Sequence, residues 1–415
     1  MNQRFTGSRR IVSLTLLSGV SLLLWLTAVS GRNAHEKYLF VWAGDQARTN
    51  PDFLAVVNFD QASSNYGEVI TTVPLPGPGA SGNEPHHVGL SADGRVLACG
   101  GLLSVLKGQK EIFFFDVSEP ESPRFITSAD PPLSAITDEF YALPNGGFLV
   151  TMMGGANGHA PGRIAEFNSE LELLAEHPAD PPSDGFNPHG IAVRPEINLM
   201  VTSDFICPST TLHAVAGAPE LRGSIRVWDF AQRKIVRTIM LPGQAGSIDV
   251  RLIPHDRKRR GYTAGMADGK LYLLDTGEGS AKAVFDFDTI SPGGWPQLMK
   301  MTEDGGRLFV SMNVAGKVVM LDTSDPDEPK LLKVLDLGAN SGPHYIRLTR
   351  DERRLVITDY FLNEDTFGKV HAEGDHLVHV ANVKPRDLIL DERFRLDFNT
   401  AFSTGPARPH GVEFK

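Results

Sequence analysis

The chain has 415 residues, 41% of them apolar, with 41 glycines and 28 prolines, a composition that favours many short strands and turns over long helices. Forty lysines and arginines against 50 aspartates and glutamates leave a net charge of −10, which argues against nucleic acid as the main partner. Two cysteines, Cys99 and Cys207, exclude a disulfide framework and read as buried, inert thiols.

Arg4, Arg9 and Arg10 precede an apolar run from Ile11 to Val29, and Ala28-Val29-Ser30 closes that run before Gly31. A basic region, an apolar region and small residues in this order predict a secretory signal peptide over residues 1–30. Ser8-Arg9-Arg10-Ile11-Val12 also resembles a twin-arginine signal. The expectation is a periplasmic protein, attached to a membrane only if this segment is retained. Residues 36–415 are predicted to form one domain.

Residues 37–43, 53–59 and 68–73 predict three strands. A four-stranded unit then opens at Asn83-Glu84-Pro85-His86-His87 and continues through 96–99, 111–116 and 123–127. Five similar units follow, beginning near Glu139, His189, Ile248, Pro296 and His344, and a lone strand over 409–414 ends the chain. Arg257-Lys258-Arg259-Arg260 is the one basic run and reads as a solvated turn. Asp116, Asp229, Asp275 and Asp322 recur after third strands, where an aspartate bonds its own backbone. The period is about 54 residues, the mark of propeller blades. The predicted fold is therefore all-β, a seven-bladed β-propeller whose seventh blade combines the three N-terminal strands with the C-terminal one.

Pro-His occurs at Pro85-His86, Pro188-His189, Pro254-His255, Pro343-His344 and Pro409-His410. Chance would place about one of the 13 histidines after a proline. Four of the five pairs open an alternating apolar strand, with the histidine at its entrance. Proline fixes its own φ and restricts its neighbour, which should stiffen that entrance. In a propeller the first strand of each blade lines the channel. Alignment on the last aliphatic residue of each first strand puts His86, Glu139, His189, Gln297, His344 and His410 at one level. The fourth unit offers Asp249, one position away, and His255 just beyond its strand.

Several imidazoles with a carboxylate suit a late first-row metal, and the Irving–Williams order favours copper over zinc. Calcium fits less well because it prefers carboxylate-rich sites. The predicted ligands are His86, His87, His189, His344 and His410, with His87 needing a local bend to face the same way as His86. Asp204 and Asp359, ending second strands, could orient imidazoles.

The Pro-His-His-x-Gly segment at 85–89, Val201–Phe205 leading to Gly223-Ser224-Ile225-Arg226-Val227-Trp228-Asp229, the His255 loop, Gly294-Trp295, and Gly405-Pro406-Ala407-Arg408-Pro409-His410 together resemble the selenium-binding protein / methanethiol oxidase family. The resemblance implies a seven-bladed propeller, a histidine-held copper site, and oxidation of methanethiol by O2 to formaldehyde, hydrogen sulfide and hydrogen peroxide. By that match His86, His87 and His410 are ligands. Where the family has a second-blade His-x-x-His, this chain has Asp138 and Tyr141, and His189 and His344 are extra. Glu139 or Asp138 is the expected proton acceptor of a copper-dependent oxidoreductase acting on a small thiol. Two other functions fit a propeller: a non-catalytic metal-binding or protein-docking module, and a lactonase-like metal hydrolase.

Overall fold

The computed structural model describes residues 35–211, 219–364 and 370–415; the signal-peptide segment, and His213 with it, lie outside them. Residues 36–415 form one unit of antiparallel blades. The innermost strands of blades one to six are Pro85–Leu90, Ser134–Ala142, Pro188–Arg194, Ser247–Leu252, Pro296–Met301 and Pro343–Leu348. Each pairs with three further strands, and blade six carries a split outer edge at Asp387–Leu390 and Leu396–Asp397 where one strand was expected. Among the described residues no helix is long and apolar enough to cross a membrane.

The seventh sheet has the predicted composition. Its strands run Val69–Pro74, Phe53–Asn58, Tyr38–Asp45 and Ala407–Phe414. Leu39 pairs with Phe414 and Asp45 with Ala407, so both ends of the unit close one blade. Closure removes the exposed edges of an open sheet. Trp42 anchors blade seven on blade one, packing 5.8 Å and 5.7 Å from Phe113 and Phe115 and donating from Nε1 to Gly100 O at 2.8 Å.

The core between blades is apolar on both sheet faces, as in Leu97, Cys99, Phe113 and Phe115 against Phe40 and Val56. Cys99 lies in this core and Cys207 in a buried turn, both free. The recurring aspartates behave as turn residues: Asp229 accepts from Gln232 N, Asp275 from Gly277 N and Asp322 from Ser324 N. Arg257, Lys258 and Arg259 form the exposed turn expected of them.

A feature invisible in the pattern sets the channel geometry. The ladder of every innermost strand slips at its entrance, between Pro85 and Val88, Thr137 and Phe140, Pro188 and Ile191, Ser247 and Val250, Pro296 and Met299, Pro343 and Tyr345, and opposite Val41 and Ala43 in blade seven. A bulge lets two successive side chains face one way. The residues entering these bulges are also unusual. Glu84, Ile136 and Trp295 have φ of 59°, 69° and 56°. Glu84 and Trp295 thus take the left-handed region despite preceding a proline, contrary to the extended conformation expected there. For the β-branched Ile136 this is a strained conformation. Glu111 holds it, its carboxylate accepting the Ile136 backbone N–H.

Candidate metal centre

The bulges bring two tiers of side chains into the channel. The ladder register makes His86, Asp138, His189, Ile248, Gln297, His344 and His410 equivalent, each following the residue paired at its strand entrance. The tier below holds His87, Glu139, Asp249 and Tyr345. This corrects the alignment in blade two, where Asp138, not Glu139, shares the level of His86; in blade four Ile248 fills that level and Asp249 lies one position away, as expected. Counting back from the last aliphatic residue misplaces the blade-two position because the bulges make strand entrances uneven.

All five predicted histidines converge. The His86 and His87 rings stack at 4.2 Å with an interplanar angle of 6°, so the bend required of His87 is present. His410 lies 4.4 Å from His86 and 5.1 Å from His344 between ring centroids, and His189 is 5.3 Å from His87. His87 Nε2 and His344 Nε2 are 3.5 Å apart. All five are buried.

Neighbouring groups fix two of these rings. Glu139 Oε2 lies 3.1 Å from His87 Nδ1, and Gln297 Oε1 lies 2.6 Å from His344 Nδ1. Gln297, as acceptor, puts the His344 proton on Nδ1 and leaves its Nε2 lone pair free, and the Glu139 carboxylate beside His87 Nδ1 favours the same tautomer there. Glu139 is itself held from below by Arg251 Nη2 at 3.3 Å and Lys300 Nζ at 3.8 Å. Burial pushes its carboxyl up, but Lys300, Arg251 and His87 outweigh that effect and keep it well below the usual range. Asp249 is occupied elsewhere, accepting from Met299 N at 2.8 Å and pairing with Arg251 at 2.9 Å.

Burial drives the imidazoles towards neutrality: His86 is lowered to about 3, His87 and His189 to about 4, and His344 and His410 well below the usual value. Asp138 is pushed up to about 6 by burial, against the pull of His189 and His87. Its Oδ1 sits 2.9 Å from His86 Nε2 and 3.3 Å from His189 Nε2. Neither contact is an aligned hydrogen bond: both Asp138 oxygens, both nitrogens of His86 and of His410, and Nδ1 of His87 and of His189 lack a hydrogen-bond partner. Buried polar atoms are rarely left so, because each costs its full desolvation. Neutral imidazoles with unsatisfied lone pairs aimed at one small volume fit a metal ion. Their donor atoms form two groups within 4.8 Å, His86 with His87 and His189, and His87 with His344 and His410.

Other expectations are corrected. His255 sits exposed on a turn with φ of 58° and does not turn into the channel. Tyr141 lies outside the cluster, half-buried against Phe230 at 6.3 Å. Asp204 bonds Ser224 Oγ, Arg226 Nε and Asn187 N rather than an imidazole. Asp359 does hold an imidazole, but that of His376, at 2.8 Å from Nδ1.

Above the ring is a chamber of about 120 Å³, walled by Leu102, Ile136, Met153, Phe205 and Ile206 and floored by His86, Asp138, His189, Gln297, His344 and Tyr360. Leu102, Phe205 and Ile206 come from connections between second and third strands, Ile136 and Met153 from strand ends of blade two, and these residues pack in one hydrophobic cluster. Tyr360, 4.1 Å from His410 between ring centroids, was not anticipated. A signal existed: Asp204-Phe205 and Asp359-Tyr360 repeat an acid–aromatic pair at the same blade position.

The chain matches the 56 kDa selenium-binding protein family, SBP56, over residues 25–415. It belongs to that family. A methanethiol oxidase of Hyphomicrobium sp is 27% identical over 387 residues, covering 88% of this chain and 84% of the relative. Human methanethiol oxidase is 22% identical and covers 94% of each chain. Among solved structures, a hypothetical selenium-binding protein from Sulfolobus tokodaii superposes with a TM-score of 0.76 at 19% identity, covering 92% of this chain and 95% of that one. The periplasmic gluconolactonase of Pseudomonas aeruginosa superposes with a TM-score of 0.63 at 12% identity, over 91% and 98%. This SBP56 chain thus has paired histidines in blade one, and a carboxylate, Asp138, faces His86 from blade two.

Proposed function

We propose that this SBP56 protein is an exported, copper-dependent thiol oxidase acting on methanethiol or a thiol of similar size. The observation that carries the reading is the convergence of five buried, neutral imidazoles beneath an apolar chamber. The names of its relatives supply the substrate class. The overall reaction converts methanethiol, O2 and water into formaldehyde, hydrogen sulfide and hydrogen peroxide, one of each. Copper, when bound by the histidines, supplies the one-electron chemistry that lets a thiol react with O2.

The protein's own groups then have definite tasks. Leu102, Ile136, Met153, Phe205 and Ile206 seat an apolar methyl group and exclude water. Asp138 faces the chamber with an unbonded carboxylate and can accept the thiol proton, the role expected of Asp138 or Glu139. Glu139 is engaged by His87, Arg251 and Lys300, so its part is to orient His87. Export rests on the basic, apolar and small-residue order of residues 1–30.

Elemental analysis of protein purified from the periplasmic fraction, with methanethiol-dependent O2 uptake, tests this reading. His86→Ala and His410→Ala should lose copper and activity together; unchanged copper in both would overturn it. A calcium-dependent lactonase is disfavoured because calcium takes oxygen donors and this centre offers one carboxylate among five imidazoles. Protein devoid of metal would favour the docking role.

A further inference from the structure

We infer that the centre is built for two ions, the second held by His86, His189 and Asp138. This rests on the metal-binding reading above and adds to it a site with a different donor set. Five imidazoles and a carboxylate exceed the four donors a tetrahedral ion takes, and their geometry divides them.

In the first set, Glu139 and Gln297 engage Nδ1 of His87 and His344, leaving only Nε2 of each. Those two atoms are 3.5 Å apart. Two ligands on one tetrahedral ion at about 2.0–2.1 Å stand about 3.3–3.4 Å from each other. His410 completes this set, with donor atoms of all three within 4.8 Å. His87 is thereby committed, although it also lies within reach of His86 and His189.

The second set has its own centre. Asp138 Oδ1 lies 2.9 Å from His86 Nε2 and 3.3 Å from His189 Nε2, so one carboxylate oxygen touches a donor of both imidazoles, which themselves lie in one group of donor atoms. Asp138 is fully buried, and no hydrogen bond satisfies either oxygen. A carboxylate in that position is paired or coordinates a metal. Two histidines and one carboxylate with open positions are the donor set of non-haem ferrous sites, and divalent first-row ions as a class fit it. All three residues of this set line the chamber, whereas of the first set only His344 does. The second ion is therefore the one more fully open to the chamber's contents, while Asp138 Oδ2 is left to accept a proton.

The test is anaerobic titration of the metal-stripped full chain with Co(II), followed by desalting and elemental analysis. Wild type should bind two ions per chain. Asp138→Ala and His189→Ala should each bind one and keep the intense absorption of tetrahedral cobalt. His344→Ala should bind one and lose that absorption. Asp138→Asn, which preserves volume, guards against misfolding and should weaken the second site at least tenfold. Saturation of wild type at one ion, or two ions in Asp138→Ala, would overturn the two-ion inference while the thiol-oxidase reading stands. Uptake of neither cobalt nor copper would remove both.

Discussion

Glu84 and Arg408 form a two-pronged ion pair, Nη1 to Oε1 at 2.7 Å and Nη2 to Oε2 at 3.0 Å, with both side chains buried. Glu84 precedes the Pro85-His86-His87 segment and Arg408 precedes Pro409-His410. The pair thus ties the entrances of blades one and seven together at the level where His86 and His410 meet. Arg48 adds a second cation at 2.8 Å. Removing one partner of a buried pair costs about 3–5 kcal/mol when the other charge is left uncompensated, an upper bound here because Arg48 still faces Glu84. Arg408→Leu should lower stability by up to that amount in denaturant titrations, and the double variant Glu84→Leu/Arg408→Leu should recover part of it. Equal loss in single and double variants would show that the pair is not coupled.

Glu139 holds His87 through Nδ1 and touches neither the chamber nor the other imidazoles' lone pairs. A carboxylate behind a ligating histidine contributes about 10–100-fold in metal affinity. Glu139→Gln should therefore weaken metal binding by that factor while leaving stoichiometry unchanged. Competition with a chromogenic chelator measures it. A full loss of bound ion would instead make Glu139 a ligand.

Gln297 plays the same part for His344 at 2.6 Å. Gln297→Leu should release the tautomer of His344 and weaken binding at least tenfold, whereas Gln297→Glu, which keeps the acceptor, should restore it. The readout is metal affinity beside thermal stability, since a packing defect would lower only the second.

Phe205 forms part of the chamber wall and stands 5.4 Å from His189 between ring centroids. Truncation to alanine enlarges the space above the ring. One added methylene in an apolar pocket is worth about 1–3 kcal/mol. Phe205→Ala should raise kcat/KM for propanethiol relative to methanethiol by about tenfold or more. An unchanged ratio would place the substrate elsewhere.

Asp52, buried beneath the entrance of blade one, accepts from Asn83 N and Nδ2 through Oδ2 while Oδ1 has no partner. Burial pushes its carboxyl up to about 7, above the ordinary value of 3.8. A folded-state pKa above the unfolded one means the folded state holds the proton more tightly. The associated stability is complete below about pH 4 and is lost as pH rises towards 7. With 1.36 kcal/mol per pH unit, the loss approaches about 4 kcal/mol. Asp52→Asn removes this titration, so its unfolding free energy should fall less than that of wild type between pH 4 and 7. Parallel curves would contradict the burial argument.

The fold and most of the centre were legible because both rest on periodicity. Alternating strands, aspartate turns and Pro-His pairs repeat with each blade, and repetition fixed which histidines would meet. The bulges carry no such mark, since they depend on hydrogen-bond register between strands distant in sequence. For that reason Glu139 exchanged places with Asp138. The chamber wall was hidden for a related cause: Leu102, Phe205 and Ile206 come from irregular connections whose shape follows from packing against one another. His255 misled because a Pro-His pair in a turn looks like one at a strand entrance until its exposed left-handed backbone is seen.

The joining of both ends of the unit in one blade also sets an order of events. His410 rides on Ala407–Phe414, which finds its place only by zipping onto Tyr38–Asp45. Until that strand has been synthesised and docked, the cluster lacks an imidazole and blade one lacks its clamp. A half-made or frayed chain therefore presents an incomplete nest of histidines, and the capture of whatever ion they hold becomes a report that folding has finished.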